Sequence, residues 1–166
     1  SGYFPFGALM LNERIETVFM ESGPDGAIGH GYTYSGHPVG AAAAVACLKE
    51  TVRLNVKDNA AARGAQMWEG VQTLMAKHDI IGDVRGTGFM QAIELVTNRD
   101  TKEPAPEETA YVFERTREHG LVLSKSGNFK NVLRMVPPLC LSIDDVEPVL
   151  SAYDKSFRDL IDNFQP

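Results

Sequence analysis

The most informative part of the sequence reads His30-Gly31-Tyr32-Thr33-Tyr34-Ser35-Gly36-His37-Pro38-Val39-Gly40, and four alanines follow it directly. Pro38 suits the first turn of a helix, where the N–H that proline lacks would have no partner. The residues before it, Tyr32–Ser35, lie where free backbone N–H groups and the helix dipole favour an anion. The stretch therefore predicts a helix over 36–54 that follows either an anion-binding loop or a polar loop that only caps the helix.

Two further stretches stand at the two ends of the chain: Ser1-Gly2-Tyr3-Phe4-Pro5-Phe6-Gly7-Ala8 and Leu133-Arg134-Met135-Val136-Pro137-Pro138-Leu139. Alternation along a predicted strand, 132–136, places Arg134 on the same face as two valines. A guanidinium among apolar side chains needs an anion. Arg134 therefore either forms a structural ion pair with a carboxylate or clamps a substrate carboxylate through two hydrogen bonds.

These three stretches, in this order, resemble the class III family of pyridoxal-phosphate-dependent aminotransferases, the omega-aminotransferase group. Thr33–Pro38 is the specific signature, and the resemblance covers this chain but only the C-terminal part of a family member. It implies an α/β fold of fold type I. Residues 1–57 would close the large cofactor-binding domain, and residues 58–166 would form a small C-terminal α+β domain.

The resemblance also implies roles for individual residues. Thr33, helped by Tyr32, would bind the phosphate of pyridoxal phosphate held mainly by the other subunit, which implies a homodimer or a larger homo-oligomer. Arg134 would hold the carboxylate of the substrate or amino acceptor. The expected reaction moves an amino group from an amine or omega-amino acid to a keto acid such as pyruvate.

The largest departure from the family is a missing lysine. Family members form a Schiff base between the cofactor and a lysine a few residues before the stretch that begins here at Ser1, whereas the first lysine of this chain is Lys49. No catalytic residue is therefore assigned, and the chain is expected to be an inactive piece of an aminotransferase. A lysine about four residues upstream of Ser1 in the coding sequence would support this interpretation, and a start codon there would oppose it.

Two alternatives remain open at this point. One is a sister activity on the same fold, an aminomutase or a decarboxylase. The other is a non-catalytic domain that binds an anion or a partner protein through Thr33 and Arg134. A metal site is not expected, because His30 and His37 have no companion ligands.

The composition is that of a globular protein, with 43% hydrophobic and 23% charged residues. A net charge of −6 argues against a nucleic-acid surface, and no apolar run approaches the roughly 18 residues of a membrane span. A cytoplasmic location is expected. Cys47 and Cys140 have apolar neighbours in the sequence and are predicted to be buried structural thiols.

Periodicity and end signals predict the other elements. Asn12 is expected to cap a helix to Phe19. The last helix, over about 144–164, has two possible starts: a capping box of Ser142 and Asp145, or a start at Asp145, which is favoured because Pro148 then falls in the first turn. Gly86-Thr87-Gly88 is rejected as a dinucleotide fingerprint because Gln91 replaces its third glycine. The remaining predictions are strands over 3–11, 89–96 and 121–124 and helices over 58–78 and 107–119.

Overall fold

A computed structural model describes residues 2–26 and 28–165 of the chain. The chain divides into two compact units, Ser1–Leu54 (unit 1) and Asn55–Pro166 (unit 2). The boundary predicted from the sequence lies between 57 and 58. The assignment of the two units to the end of a large domain and to a small domain stays a prediction.

Unit 1 contains two α-helices, α1 (Glu13–Glu21) and α2 (Pro38–Arg53), with a short 3-10 helix, Gly23–Gly26, between them. The predicted cap of α1 is confirmed, because the Asn12 side chain accepts a hydrogen bond from the Ile15 N–H at 3.1 Å. Helix α2 begins at Pro38, close to the predicted start.

The strand predicted over 3–11 is wrong. None of the described residues in this stretch is in a strand, and Leu9 and Met10 are 87% and 90% exposed. An aromatic and aliphatic run becomes a strand only when a partner strand supplies its hydrogen bonds. The described part of unit 1 contains no such strand.

Few side chains of unit 1 are shielded from solvent. Gly40 is the one residue classed as buried among the described residues of unit 1. Val45, Leu48 and Val52, which helical spacing puts on one face of α2, are all exposed. The small residues of α2 would allow close packing on several sides, but unit 1 itself does not provide it.

Unit 2 is an antiparallel sheet covered by three helices. The sheet order is β1–β2–β5–β4, and the short β3 pairs with the end of β2. Two strands were not predicted, β1 because two glycines interrupt its apolar pattern and β3 because it has only two residues. The bounds are α3 (Val56–Lys77), β1 (Ile81–Thr87), β2 (Met90–Asn98), β3 (Glu103–Pro104), α4 (Pro106–Glu118), β4 (Ser124–Ser126), β5 (Val132–Met135) and α5 (Ile143–Asn163).

The core of unit 2 lies between the helices and one face of the sheet. Val84, Ile93 and Leu133 are opposite one another on β1, β2 and β5 and point into this core. Each fully buried side chain of this kind contributes about 1.5–3 kcal/mol. The helices add buried side chains that include Met67, Val71, Leu74, Val112, Tyr153, Phe157 and Leu160.

Helix α3 approaches the β1–β2 turn very closely. A Cβ atom on Gly64 would lie 2.5 Å from the backbone carbon of Gly88. The Gln91 side-chain amide donates to the carbonyl oxygens of Gly64 at 2.8 Å and Gly88 at 2.7 Å. Gly88 therefore serves helix–sheet packing, which agrees with the rejection of a dinucleotide fingerprint.

The start favoured for α5 at Asp145 is wrong, because the helix begins at Ile143 and carries Pro148 in its interior, whereas the capping box of Ser142 and Asp145 is confirmed. The Asp145 carboxylate accepts hydrogen bonds from the Ser142 N–H at 2.8 Å and the Ser142 hydroxyl at 2.6 Å. These bonds, the hydroxyl first, lower the pKa of Asp145. The bonds at the cap offset the single helical hydrogen bond that Pro148 cannot donate.

The burial predicted for the two cysteines is wrong for Cys140, which is exposed, while Cys47 is half-buried. Cys140 follows Pro137 and Pro138 in a surface turn. Apolar neighbours in sequence do not bury a residue when prolines direct the chain along the surface.

Candidate functional site

The signature stretch forms a hydrogen-bonded turn in front of α2. The Tyr32 carbonyl accepts the Ser35 N–H at 2.9 Å, and the Tyr34 carbonyl accepts the His37 N–H at 3.1 Å. The Ser35 hydroxyl in turn accepts the Tyr32 N–H at 3.0 Å. Gly36 has a φ of +71°, a conformation that favours glycine.

His37 caps α2, since its Nδ1 accepts the Gly40 N–H at 3.4 Å. The His37 ring stacks with Phe4, their centroids 5.7 Å apart. Phe4 and Phe6 also lie against Gly40, where an added Cβ would come within 2.7 Å of the Phe4 ring. Phe4 and Phe6, near the start of the chain, therefore pack against the signature stretch within unit 1, and His37 serves as the cap of α2.

Thr33 occupies an exposed corner of this turn. Within residues 2–26 and 28–165, neither its hydroxyl nor its backbone N–H makes a hydrogen bond. The neighbouring Tyr32 already donates its N–H to the Ser35 hydroxyl, but its phenol is exposed. Two uncommitted donors on Thr33 and a nearby phenol fit a phosphate group. That these residues bind the phosphate of pyridoxal phosphate remains a prediction.

Arg134 lies on the face of the sheet that the helices do not cover. The strand register aligns Arg85, Ala92, Arg134 and Ser124 in one row across β1, β2, β5 and β4. Arg134 is exposed, and its cross-strand neighbours Ala92 and Ser124 are small. The expected apolar surroundings of Arg134 are therefore wrong, because Val136, one of the two valines predicted on its face, lies beyond the strand and is exposed.

The two arginines of this row have different partners. Arg85 Nη1 lies 2.7 Å from Asp83 Oδ2 and 2.5 Å from Glu94 Oε2. Hydrogen bonds to Asp83 first and Glu94 second raise the pKa of Arg85. The Arg134 side chain has no ion pair or hydrogen bond with any residue that the structure describes. The structural ion pair considered for Arg134 is thus not found in the described chain, and the guanidinium is available to an external anion.

Three of the lysines already have structural contacts. Lys77 pairs with Asp154, and Lys102 donates to the Gly82 carbonyl at 2.9 Å. Lys125 lies opposite Leu133 and therefore on the core side of the sheet, where it contacts the Phe113 ring. Its side chain is directed away from the face that carries Arg134.

The predicted site residues fall in both units. Tyr32 and Thr33 are adjacent in the turn of unit 1, and Arg134 belongs to unit 2. Sequence reasoning missed the cross-strand row, because it did not predict β1. The sequence offered little signal, because Ile81 and Val84 are three residues apart and reach the same core only through an irregularity in the register between Ile81 and Asp83.

The described residues offer no other obvious kind of site. No group of three or more histidine, cysteine or acidic side chains among them could hold a metal ion. Among the same residues, no helix has the length and apolar character that crossing a membrane requires.

Similarity to known proteins identifies the family of this chain. A sequence profile described as "Aminotransferase class-III" matches residues 1–157. The chain belongs to the class III aminotransferase family. Its α/β fold class is confirmed by the solved transaminases that it resembles.

The similar proteins are about three times as long as this chain. Alanine–glyoxylate aminotransferase 2 homolog 2, mitochondrial, from Arabidopsis thaliana is 36% identical over 92% of this chain and 31% of its own length. Gamma aminobutyrate transaminase 2 from Solanum lycopersicum is 35% identical over 95% of this chain and 34% of its own length. The chain spans about a third of these curated relatives.

Among solved structures, a PLP-bound amine transaminase from an uncultivated Pseudomonas species superposes with a TM-score of 0.85 at 33% identity. The likeness covers 96% of this chain and 36% of that one. The likeness therefore includes both units but only part of the solved enzyme.

Proposed function

We propose that this chain is the C-terminal third of an aminotransferase that moves an amino group from an amine or omega-amino acid to a keto acid such as pyruvate. The observation that carries the proposal is Arg134, a guanidinium that has no partner among the described residues and lies between the small residues Ala92 and Ser124. A planar fork in such a setting binds a carboxylate through two parallel hydrogen bonds. A keto acid has that carboxylate beside its reacting carbon.

The names of similar proteins support the substrate class. The tomato relative is named for gamma-aminobutyrate, an omega-amino acid, and the Arabidopsis relative for alanine and glyoxylate, an amino acid and a keto acid. The Pseudomonas structure is titled an amine transaminase. These names describe aminotransferases, so an aminomutase or decarboxylase activity is not favoured.

The cofactor of the proposed enzyme is pyridoxal phosphate, which when bound carries the amino group between donor and acceptor. Thr33 would donate its hydroxyl and N–H to the phosphate, and Tyr32 would add its phenol. Arg134 would bind and orient the acceptor carboxylate. The proposal includes a homodimer in which Thr33 serves the partner's cofactor, and a cytoplasmic location.

The chain by itself is proposed to be inactive. Two observations support this: it spans about a third of its relatives, and its first lysine, Lys49, lies beyond the signature stretch and within α2. Helix α2 leaves apolar side chains exposed, and this supports the proposal that additional polypeptide covers unit 1. The cofactor-bonding lysine would lie in that additional polypeptide.

The experiment that tests the proposal is to determine the coding sequence upstream of Ser1 and to assay the full-length protein. We expect a lysine about four residues before Ser1. We also expect the full-length protein to form alanine from pyruvate and an amine donor, and this reaction should depend on added pyridoxal phosphate. A start codon at that point, or a full-length protein that transfers no amino group to any keto acid tested, would contradict the proposal.

A further inference from the structure

We infer that Asn59, a residue of α3, is a positioning residue for Arg134, because it fixes the loop that leaves β5. The loop comprises residues 136–141 and joins β5 to the cap of α5. The inference rests on the proposed function, since it assumes that Arg134 binds the acceptor carboxylate.

The contact is a fork from one side chain to two backbone groups. Asn59 Nδ2 donates to the Leu139 carbonyl oxygen and to the Leu141 carbonyl oxygen, each at 2.9 Å. The acceptors are 80 and 82 residues away in sequence. Asn59 is itself held in α3, where its N–H donates to the Asn55 carbonyl at 3.2 Å. The helix therefore sets the place of both carbonyls.

The loop has few other means of holding its shape. Pro137 and Pro138 have no N–H to donate. Within the described residues of the loop, one backbone hydrogen bond is formed, from the Leu141 N–H to the Pro138 carbonyl at 2.9 Å. That bond closes a local turn but does not tie the turn to the rest of unit 2. The Asn59 amide supplies hydrogen bonds that do.

Arg134 lies next to the point where the sheet stops supporting β5. The last register pair between β5 and β2 joins Met135 to Gln91, and the last pair between β5 and β4 joins Arg134 to Ser124. After Met135 no described strand pairs with the chain, and the next hydrogen-bonded anchor to another described element is Asn59 at Leu139. The backbone that leads away from Arg134 is therefore held by the sheet as far as Met135 and by Asn59 from Leu139.

Loss of the anchor should lower the precision of the clamp. A released loop lets the end of β5 move, and a small displacement of a group that orients the substrate can reduce the rate about 100-fold. The amine donor, which has no carboxylate, does not need the clamp. Loss of the Asn59 anchor should therefore slow the half-reaction with pyruvate more than the half-reaction with the amine.

The test compares Asn59→Asp with the wild-type full-length enzyme. The aspartate has the same shape but places an acceptor oxygen where the two donors were. We expect kcat/KM for pyruvate to fall about tenfold, mainly through KM, while the half-reaction with a carboxylate-free amine changes less than about twofold. Hydrogen exchange of the loop's Leu141 amide, which bonds to the Pro138 carbonyl, should become about tenfold faster.

Arg99→Met is the matched control. Arg99 holds the other end of α3, where it donates to the carbonyls of Met75 at 2.5 Å, His78 at 2.9 Å and Ile81 at 3.1 Å. Its replacement should lower the melting temperature but leave the KM for pyruvate and the exchange of the loop unchanged. If Asn59→Asp does not fold, Asn59→Ala removes the donors without adding a charge.

The possible outcomes are distinct. Equal loss in both half-reactions, or unchanged kinetics and loop exchange in the Asn59 variants of an active enzyme, would overturn the positioning role alone. A wild-type enzyme that does not react with the amine donor would instead retire the proposed function.

Discussion

Arg85 and Arg134 stand in the same cross-strand row of the open sheet face, one on each side of Ala92, yet only Arg85 is paired with carboxylates. Asp83 and Glu94 occupy the guanidinium of Arg85, so it has little attraction left for a further anion. Arg134 has no such partner among the described residues. The same residue type in the same row is therefore a structural group at one position and a candidate binding group at the other.

Arg134→Lys in the full-length enzyme tests the clamp. Lysine keeps the charge but loses the two-pronged geometry, so kcat/KM for pyruvate should fall by about tenfold or more. The half-reaction with a carboxylate-free amine should fall much less. Thermal unfolding should change little, because no protein carboxylate loses a partner.

Arg85→Lys is the matched control for that variant. It weakens an exposed guanidinium contact that two protein carboxylates share, so any effect should be small and appear in both half-reactions alike. Measuring the two half-reactions separately, together with the melting temperature, distinguishes the two roles. Equal losses in both half-reactions of Arg134→Lys, with a lowered melting temperature, would show that Arg134 is structural.

Thr33→Ala should weaken retention of pyridoxal phosphate by the full-length enzyme. Removal of one hydrogen bond to a charged group costs about 1.5–3 kcal/mol, which corresponds to about ten- to a hundredfold in affinity. Equilibrium dialysis against the cofactor would measure the change. Thr17→Ala is a suitable control, because the Thr17 hydroxyl bonds only to the Glu13 carbonyl within α1. Unchanged affinity in a folded Thr33 variant would make Thr33 a turn residue.

The 166-residue chain alone should neither transaminate nor bind pyridoxal phosphate covalently. None of its lysines precedes the signature stretch, and the lysine nearest Arg134 in sequence, Lys130, lies in a turn with a φ of +57°. Absorbance spectra of the chain mixed with the cofactor, followed by borohydride treatment and peptide mass mapping, would check this. A borohydride-fixed cofactor on one specific lysine would contradict the expectation.

Asp154→Asn should reduce the stability of unit 2 in a pH-dependent way. Burial by itself would raise the pKa of Asp154, but hydrogen bonds from Lys77 and His78, with the charges of Lys77 and Arg158, lower it to about 2. A carboxyl whose pKa is lowered by folding contributes stability above its unfolded pKa of about 3.9 and loses it as the pH falls towards its folded pKa.

The contribution of Asp154 near pH 7 is about 2 kcal/mol. Denaturant unfolding of wild type and Asp154→Asn should therefore differ near neutral pH and converge as the pH is lowered from 4 to 2. Asp162→Asn, an exposed carboxyl on the same helix without an ion pair among the described residues, should show no such convergence. A pH-independent difference for Asp154→Asn would disprove the linkage.

Gly64→Ala should destabilise unit 2 by about 1–3 kcal/mol, because the new Cβ would meet backbone atoms of Gly88. For Gly70→Ala on the same helix, the three atoms nearest the added Cβ all belong to the Leu150 side chain, which can rotate, and none is a backbone atom. Alanine favours a helix over glycine by about 1 kcal/mol, so this second change should be close to neutral. Thermal unfolding of both variants would test the comparison, and equal effects would refute it.

Much of unit 2 could be predicted from the sequence, because its helices have strong local signals. Helix α4 begins with acidic residues and ends with basic ones. Helices α3 and α5 have apolar residues three and four positions apart, which form one face of each helix. β1 was missed because its glycines break the alternation on which strand prediction depends. The strand over 3–11 was wrongly predicted for the opposite reason: its apolar pattern is strong, but such a pattern does not show whether a partner strand is present.

The sequence by itself determined the family, the signature turn and the identity of Thr33 and Arg134 as candidate residues, because these depend on residue types in a fixed local order. Only the tertiary structure decided that Arg85 is neutralised while Arg134 is not, and that Asn59 holds a loop about 80 residues away. Both depend on strand register and helix placement. Those relationships arise from contacts between distant parts of the chain, which no local pattern specifies.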